Sequence, residues 1–127
     1  MNIWLLVMAG GALGSLGRYL VATQVSDWLP NLRFPMGTLA VNAIGCAVAG
    51  VLIEIFADLW VPSTEARAFL IVGVLGGFTT FSAFSIETFF LIERGSYLLA
   101  GAYIAGSVVI SLLAFFGAQA LFRLILT

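Results

Sequence analysis

Three polar side chains stand at four-residue intervals inside the uncharged stretch 34–53, namely Thr38, Asn42 and Cys46. Side chains with this spacing share one face of a helix. A buried amide must find hydrogen-bond partners, because leaving it unpaired costs free energy. Asn42 therefore either bonds to a neighbouring helix and holds a helix bundle together, or offers its amide to a solute.

A second polar face is predicted near the C-terminus, where Tyr103, Ser107 and Ser111 also follow one another at four-residue intervals. Three hydroxyl groups on one helical face form a track of hydrogen-bond donors. A single Ser in a membrane helix usually bonds back to its own backbone. That structural alternative is weaker for three aligned hydroxyls, so this face is a candidate binding surface.

The segment 73–87 combines glycines, hydroxyls and aromatic rings in the string GVLGGFTTFSAFSIE. Adjacent glycines weaken a helix, and the neighbouring hydroxyls can satisfy backbone groups that a break would free. We therefore predict that the helix breaks near 76–80. A break exposes carbonyl groups, which can hold a cation, and N–H groups, which can meet an anion.

Phe81 and Phe84 in the same string are three residues apart, so they share a helical face. The edges of aromatic rings are electropositive. They could face an anion without attracting it as tightly as an Arg would. The alternative is that both rings face lipid or the protein core, and the hydroxyls around them favour the first interpretation.

Two charged residues lie close to these polar segments. In the simpler interpretation, Arg18 extends from the end of the first apolar stretch toward water; in the sharper one, it attracts anions into a vestibule. Glu87 follows Ala83 by one helical turn and lies either near the membrane interface or at the end of the hydroxyl track.

The composition excludes several classes of protein. Hydrophobic residues make up 62% of the 127 residues, charged residues make up 9%, and the mean hydropathy is +1.16. Soluble domains carry about 25% charged residues, so neither a soluble domain nor a disordered chain is expected. A net charge of −1 without a basic tract excludes a nucleic-acid partner. With one Cys and no His, a cysteine metal cluster and most Zn or Ser-His chemistry are excluded, and we predict that the chain is not an enzyme.

Charged residues divide the chain into four apolar stretches. A helix needs about 20 apolar residues to cross a membrane. We therefore predict an all-α membrane protein, with 1–127 forming a single transmembrane domain. The predicted spans are about 3–23, 37–57, 67–92 and 97–122. Because the connections are short, the function is expected to lie within the bilayer.

Local signals predict how the spans begin and pack. Ser63 precedes the third span and could accept a backbone N–H as its N-terminal cap. Small residues at four-residue spacing favour close contacts between membrane helices. Such pairs are Gly10 with Gly14, Gly73 with Gly77, and Gly101 with Ala105.

The Arg residues are nearly balanced between the two ends of the predicted bundle. Arg67 and Arg123 lie on the side of the termini, and Arg33 and Arg94 lie on the other, together with Arg18. Basic residues orient membrane proteins through their asymmetry. We therefore infer insertion in both orientations and an antiparallel homodimer. The alternative is that one extra charge, or the insertion machinery, sets a single orientation.

Three blocks of the sequence resemble the Fluc (CrcB) family of small microbial fluoride channels. They are the glycine-rich block 10–19, the block GTLAVN at 37–42 and the highly specific string at 73–87. The final span is similar through its hydroxyl track, so the resemblance covers nearly the whole chain. A departure is Ala83, where many members of the family have Thr.

This resemblance implies a passive fluoride-selective channel in the cytoplasmic membrane of a prokaryote, which exports fluoride and so protects against its toxicity. It also implies an antiparallel homodimer that contains two separate pores and is surrounded by membrane lipid. Fluoride is small and strongly hydrated. A pathway for it needs several uncharged donors that replace its water yet bind weakly enough for release.

The resemblance further implies roles for individual residues. Asn42 would supply a pore amide, and Phe81 and Phe84 would present ring edges to fluoride. Arg18 would stand in a vestibule. The carbonyl groups of Gly76 and Thr79 from both subunits would hold a structural sodium ion at the dimer centre. The polar track would be lined by Thr80, Tyr103, Ser107 and Ser111.

Two other functions remain open from the residues alone. A small multidrug exporter is also a dual-topology protein with four helices, but it requires a carboxylate within the membrane for proton exchange. The first span has no acidic residue, and Glu54 and Glu87 lie toward the ends of their spans. A scaffold subunit without transport activity would use the polar faces only to hold helices together.

Overall fold

The structure is a computed structural model and describes residues 2–127, whose regular elements are all helices, without a strand. Helix α1 is Ile3–Trp28 and α2 is Met36–Leu59, whose last turn, Ile55–Leu59, is π-helical. Helix α3 spans 64–78 and contains a π-helical stretch, Ala68–Leu75. Helix α4 is Ser82–Glu93 and α5 is Tyr97–Leu126.

Four helical segments are long and apolar enough to cross a membrane, with α3 and α4 together forming the third. The predicted all-α fold with four spans is therefore confirmed. Large apolar side chains cover the outside of the bundle, as expected for a protein in contact with lipid. Examples are Leu98, Leu113 and Leu124, which are all exposed.

The first helix is longer than predicted and continues to Trp28. It ends there because Pro30 disfavours a helical conformation of Leu29, which adopts φ −128°. Arg18 consequently lies well inside α1 and not at its end. The predicted cap of the third span is confirmed, because Ser63 Oγ accepts the Ala66 N–H at 3.1 Å.

The third span is broken, as predicted, but the break lies slightly later than the glycine pair suggests. Helix α3 remains helical through Phe78, residues 79–81 leave the helix, and α4 begins at Ser82. The glycines serve a different purpose. A Cβ atom on Gly77 would lie 2.6 Å from the Gly11 carbonyl oxygen, so Gly77 allows α3 to approach α1 closely.

Glycines of α1 make the same contact from the other side. A Cβ atom on Gly10 would lie 2.6 Å from the Phe69 carbonyl oxygen, and one on Gly14 would lie 2.9 Å from the Phe78 nitrogen and nearer still to the Val74 oxygen. Backbone atoms cannot move aside as a flexible side chain can. The predicted close contacts at the Gly10–Gly14 pair are therefore confirmed.

Replacing Gly14 with Ala is expected to lower the free energy of unfolding by about 1–3 kcal/mol, because the added methyl group forces α1 and α3 apart. The measurement is thermal unfolding of the purified protein in detergent. Gly11→Ala is the matched control, since a Cβ atom on Gly11 meets nothing within 4 Å. Equal stability of the two variants would contradict this description of the α1–α3 contact.

Candidate functional site

The break in the third span is held by Asn42 of α2. Its Nδ2 donates to the Thr80 carbonyl at 3.0 Å, and its Oδ1 accepts the Thr80 N–H at 2.8 Å. One side chain thus satisfies both backbone groups of a non-helical residue. The amide is therefore an interhelical contact, one of the two roles that the sequence left open. Because an Asn amide has two N–H donors, one N–H remains beyond these two bonds.

The hydrogen bonds at the break leave two carbonyl groups without their usual helical donors. In an uninterrupted helix, the Thr80 N–H would bond to Gly76 and the Ala83 N–H would bond to Thr79. Here the first donates to Asn42, and the second donates to Thr80 Oγ1 at 3.1 Å. The carbonyls of Gly76 and Thr79 are thus free of these donors and can accept other ligands.

Glycine also determines how closely α2 approaches the break. A Cβ atom on Gly45 would lie 3.2 Å from the Phe78 ring and closer still to the methyl group of Thr79. Gly45 is buried, and it lies three residues after Asn42. The sequence of α2 therefore provides both the hydrogen bonds and the space that the irregular backbone requires.

A cleft of about 380 Å³ lies between α2, the break and α5. It is lined by six of the seven residues predicted for the pore, and Tyr103 is the exception. The remaining lining residues are Cys46, Thr79, Val108 and Leu112, so within residues 2–127 no charged side chain lines the cleft. The six are Asn42, Thr80, Phe81, Phe84, Ser107 and Ser111.

The two phenylalanines of the cleft begin a row of aromatic rings. The centroids of Phe81 and Phe84 are 5.3 Å apart, and those of Phe84 and Tyr103 are 5.1 Å apart. Phe34 completes the row with an edge-on contact to Tyr103 at 5.5 Å. Phe81 is 79% exposed in the single chain, and Phe84 is partly buried. The row leads from the open cleft into the protein core.

Ser107 carries a hydroxyl in the wall of the cleft that is not committed to another group of the described residues. Its Oγ is buried and has no hydrogen-bond partner within residues 2–127. Thr79, by contrast, donates its hydroxyl to the Leu75 carbonyl at 2.9 Å. The usual return of a Ser hydroxyl to its own helix therefore does not occur at Ser107. An uncommitted buried hydroxyl can donate to a ligand.

Glu87 joins the two polar faces that the sequence placed on separate helices. Its Oε1 accepts the Thr38 hydroxyl at 2.7 Å, and its Oε2 accepts the Tyr103 hydroxyl at 2.8 Å. Tyr103 is fully buried, so it meets the cleft only through the ring of Phe84. Sequence spacing placed Glu87 either near the membrane interface or at the end of the hydroxyl track, and its bond to Tyr103 puts it at the end of that track.

Arg18 turns toward the break. Its Nε donates to the Gly77 carbonyl at 3.1 Å. It lines a second cleft of about 270 Å³, whose wall also includes Thr80 and Glu87. Thr80 thus lies between two clefts. Arg18 therefore bonds to the backbone beside the break, and its vestibule role stays a prediction.

A buried carboxylate fixes α5 at the opposite end of α2. Glu54 is 1% exposed, and its Oε1 accepts hydrogen bonds from Gln119 at 2.7 Å and from the Arg123 guanidinium at 2.5 Å. The sequence gave no signal for this contact across 69 residues. Because Glu87 holds Tyr103 near the other end, the hydroxyl track of α5 is fixed between two carboxylates.

The cleft is open to the exterior of the single chain. Phe81 stands at this opening. One chain therefore forms an open groove between α2, the break and α5. Within that groove the chemistry available to a solute is that of neutral hydrogen-bond donors and ring edges.

Several known proteins are similar to this chain. The family described as "CrcB-like protein, Camphor Resistance (CrcB)" matches residues 5–119. The "Fluoride-specific ion channel FluC" of Nitrobacter winogradskyi is 51% identical over 107 residues, which are 84% of each chain. Its namesakes from Rhodospirillum centenum and Rhizobium etli are 46% and 50% identical, over 97% and 94% of each chain.

Proposed function

The chain belongs to the CrcB-like protein family, and on that basis we propose that it is a fluoride-selective passive ion channel. The names of its relatives support the proposal, because each is called a fluoride-specific ion channel. The observation that carries it is the cleft that contains the unpartnered Ser107 hydroxyl and is lined by no charged side chain. It is a multi-pass membrane protein, and we place it in the cytoplasmic membrane of a prokaryote.

The donors of the cleft suit a small anion with a strongly held hydration shell. The Ser107 hydroxyl and the remaining Asn42 N–H are neutral donors, and the edges of Phe81 and Phe84 add weak positive potential. Together they replace water around fluoride. Because no full positive charge lines the cleft, the ion is not trapped and can leave at the other side.

The direction of flux follows from the chemistry of fluoride and from the membrane potential. Fluoride enters a cell as the neutral acid and dissociates in the more alkaline interior. A passive channel then releases the anion, driven by a negative-inside potential that is worth about 2.3 kcal/mol per charge per 100 mV. Export therefore needs no nucleotide and no proton exchange, and it protects the cell from accumulated fluoride.

An antiparallel homodimer provides the missing wall of each cleft. The open groove and the exposed ring of Phe81 support a second copy at this surface. The near balance of Arg residues between the two ends of the bundle supports insertion in both orientations. Because each chain carries its own cleft, the dimer has two separate pores.

A structural sodium ion at the dimer centre fits the backbone around the break. The carbonyls of Gly76 and Thr79 have lost their usual helical donors to Asn42 and Thr80. Carbonyl oxygens are suitable ligands for a hard cation. Two carbonyls from each chain would supply four oxygen ligands. The bound cation would stabilise the broken third spans of the two chains without taking part in conduction.

Ser107→Ala tests the role of the free hydroxyl. The substitution breaks no hydrogen bond within the described residues, so thermal stability is expected to be retained. Fluoride efflux from liposomes is expected to fall by roughly tenfold, because a hydrogen bond to an anion is lost along the pathway. If fluoride efflux through Ser107→Ala equals the wild-type rate, this hydroxyl is not part of the pathway.

Thr23→Val is the matched control for Ser107→Ala. It also deletes a hydroxyl from a membrane helix, but Thr23 Oγ1 bonds to its own helix at the Tyr19 carbonyl, at 2.8 Å. Thr23 does not line the cleft. Fluoride efflux through Thr23→Val is expected to equal that of the wild type. A similar loss of efflux in Thr23→Val and Ser107→Ala would therefore point to a general effect of deleting hydroxyls.

A further inference from the structure

We propose that Glu54 is a positioning residue for fluoride conduction. Its hydrogen bonds to Gln119 and Arg123 set the register of α5 against α2, and that register places Ser107 in the wall of the cleft. The inference rests on the proposed function and adds a residue that does not line the cleft. It is carried by the matching periodicity of the two helices and by the cost of burying this carboxylate.

Helices α2 and α5 run in the same direction and face each other with a constant offset. Glu54 bonds to Gln119, which lies 65 residues later in the sequence. A Cβ atom on Gly50 would lie against the carbonyl oxygen of Phe115, which is the same number of residues later. Because the offset is unchanged over this helical turn, the two helices keep one register along the contact.

The same offset relates the polar groups of the cleft. It separates Asn42 from Ser107, and both line the cleft. The same number of residues also separates Asn42 from Glu54 on α2 and Ser107 from Gln119 on α5. The contact at Glu54 therefore sets the level at which Ser107 stands beside Asn42.

The close approach of the two helices does not by itself select this register. A Cβ atom on Gly50 would lie 3.2 Å from the Gln119 nitrogen and nearer still to the Phe115 carbonyl oxygen. Both atoms belong to the backbone, which every residue of α5 has. The hydroxyls of Ser107 and Ser111 also repeat every four residues, so α5 shifted by one turn, about 5.4 Å, would present a similar face to α2.

The hydrogen bonds of Glu54 do select one register. Its Oε1 accepts from Gln119 Nε2 at 2.7 Å, from Arg123 Nε at 3.1 Å and from Arg123 Nη2 at 2.5 Å. The two donor side chains are one helical turn apart on α5. They meet the carboxylate together in a single register, and a shift of one turn would separate Gln119 from Glu54.

The bond at the other end of the hydroxyl track is a weaker constraint on register. There the Tyr103 hydroxyl donates to Glu87 Oε2 at 2.8 Å. Ser107 follows Tyr103 by one turn, so α5 shifted by a turn would still offer a hydroxyl to Glu87. Within residues 2–127, this bond and those of Glu54 are the side-chain hydrogen bonds between α5 and other helices. Glu54 therefore contributes most of the choice of register.

Stability does not explain why a carboxylate occupies this position. Glu54 is 1% exposed, and its Oε2 is buried without a hydrogen-bond partner in the described part of the chain. Taking a charge out of water is costly, and a buried ion pair is often no more stabilising than apolar side chains of similar volume. The best attested benefit of such a pair is that it specifies one packing arrangement. A role in setting register accounts for the retained cost.

The test is the double variant Glu54→Leu, Gln119→Leu, which replaces the buried polar groups with apolar side chains. The side chain of Arg123 is 62% exposed, so its charge stays in contact with water. The temperature of thermal unfolding in detergent is expected to equal or exceed that of the wild type. Fluoride efflux from liposomes is nevertheless expected to fall by roughly tenfold, because the Ser107 hydroxyl no longer stands in the pathway.

Two further variants distinguish position from charge. Glu54→Gln is the matched control, because its amide oxygen can accept both donors without a negative charge, and its efflux is expected to stay close to the wild-type rate. Ser107→Ala is added to the double variant in a second experiment. It is expected to cause no further loss, since two changes that act through the same contact are not additive.

Four results would overturn the proposal. They are wild-type efflux through the double variant, a loss of its thermal stability together with its efflux, a further loss when Ser107→Ala is added, and a loss in Glu54→Gln as large as in the double variant. Absence of fluoride efflux from the wild type would instead contradict the channel function itself.

Discussion

Asn42→Asp is expected to abolish fluoride efflux and to destabilise the protein. The carboxylate can still accept the Thr80 N–H, but it has lost the Nδ2 donor and now turns an anionic oxygen toward the Thr80 carbonyl. An Asp near the centre of a membrane helix costs about 3 kcal/mol. The same negative charge lines the cleft and repels an entering anion.

Two measurements separate these effects of Asn42→Asp. Thermal unfolding in detergent reports the lost bonds at the break, and fluoride efflux from liposomes reports the charge in the cleft. Asn2→Asp is the control, because it makes the same chemical change at an exposed helix cap that an Asp can also form. If Asn42→Asp has normal efflux and normal stability, this amide neither stabilises the break nor lines the fluoride pathway.

Replacing Phe81 or Phe84 with Ile is expected to reduce fluoride efflux strongly while the dimer remains intact. Isoleucine keeps the apolar bulk but has no electropositive ring edge. Phe81 is 79% exposed in the single chain, so its substitution is expected to cost little folding stability. Phe84 packs against Tyr103, so its substitution is also expected to lower the free energy of unfolding, by about 1.5 kcal/mol.

Phe89→Ile is the matched control for the two ring variants. Phe89 also lies on α4, is 55% exposed and pairs with Phe90 at 5.6 Å, but it does not line the cleft. Efflux is measured on vesicles with equal amounts of protein, and dimer content is measured by chemical cross-linking. If Phe81→Ile and Phe84→Ile both conduct like Phe89→Ile, ring edges play no part in conduction.

Much of the fold follows from local sequence signals. Runs without charged residues predicted the four membrane helices. The position of Ser63 just before the third span was enough to predict that it caps this helix. The predicted first span, 3–23, already included Arg18 but ended too early, because α1 continues to Trp28 and stops only before Pro30. A single Arg within an apolar stretch does not end a helix, since a backbone carbonyl can accept its hydrogen bond.

The cleft was predictable in part, because periodicity places residues on one face of one helix. Spacing alone put Asn42 beside Cys46 and Ser107 beside Ser111, and all four line the cleft. Contacts between helices depend on how each helix is rotated and shifted against its neighbour, which spacing within a helix does not specify. The bonds of Glu54 to α5 and of Glu87 to Thr38 could not be predicted for that reason, whereas the end of the hydroxyl track was one of the two positions predicted for Glu87.

The break in the third span illustrates the same limit. The glycine pair and the hydroxyls indicated that the helix would be interrupted. The position of the interruption depends on Asn42 of another helix, which binds Thr80 and not Gly76 or Gly77. The sequence contained both partners, but it gave no signal that they would meet.

The most direct test of the central claim compares fluoride and chloride release from liposomes that contain the purified wild-type protein. Neutral donors and ring edges in a narrow pathway are expected to accept the smaller ion and to exclude the larger one. The account predicts rapid release of fluoride with chloride release close to that of protein-free liposomes. Equal release of both anions, or no fluoride release above the protein-free rate, would contradict it.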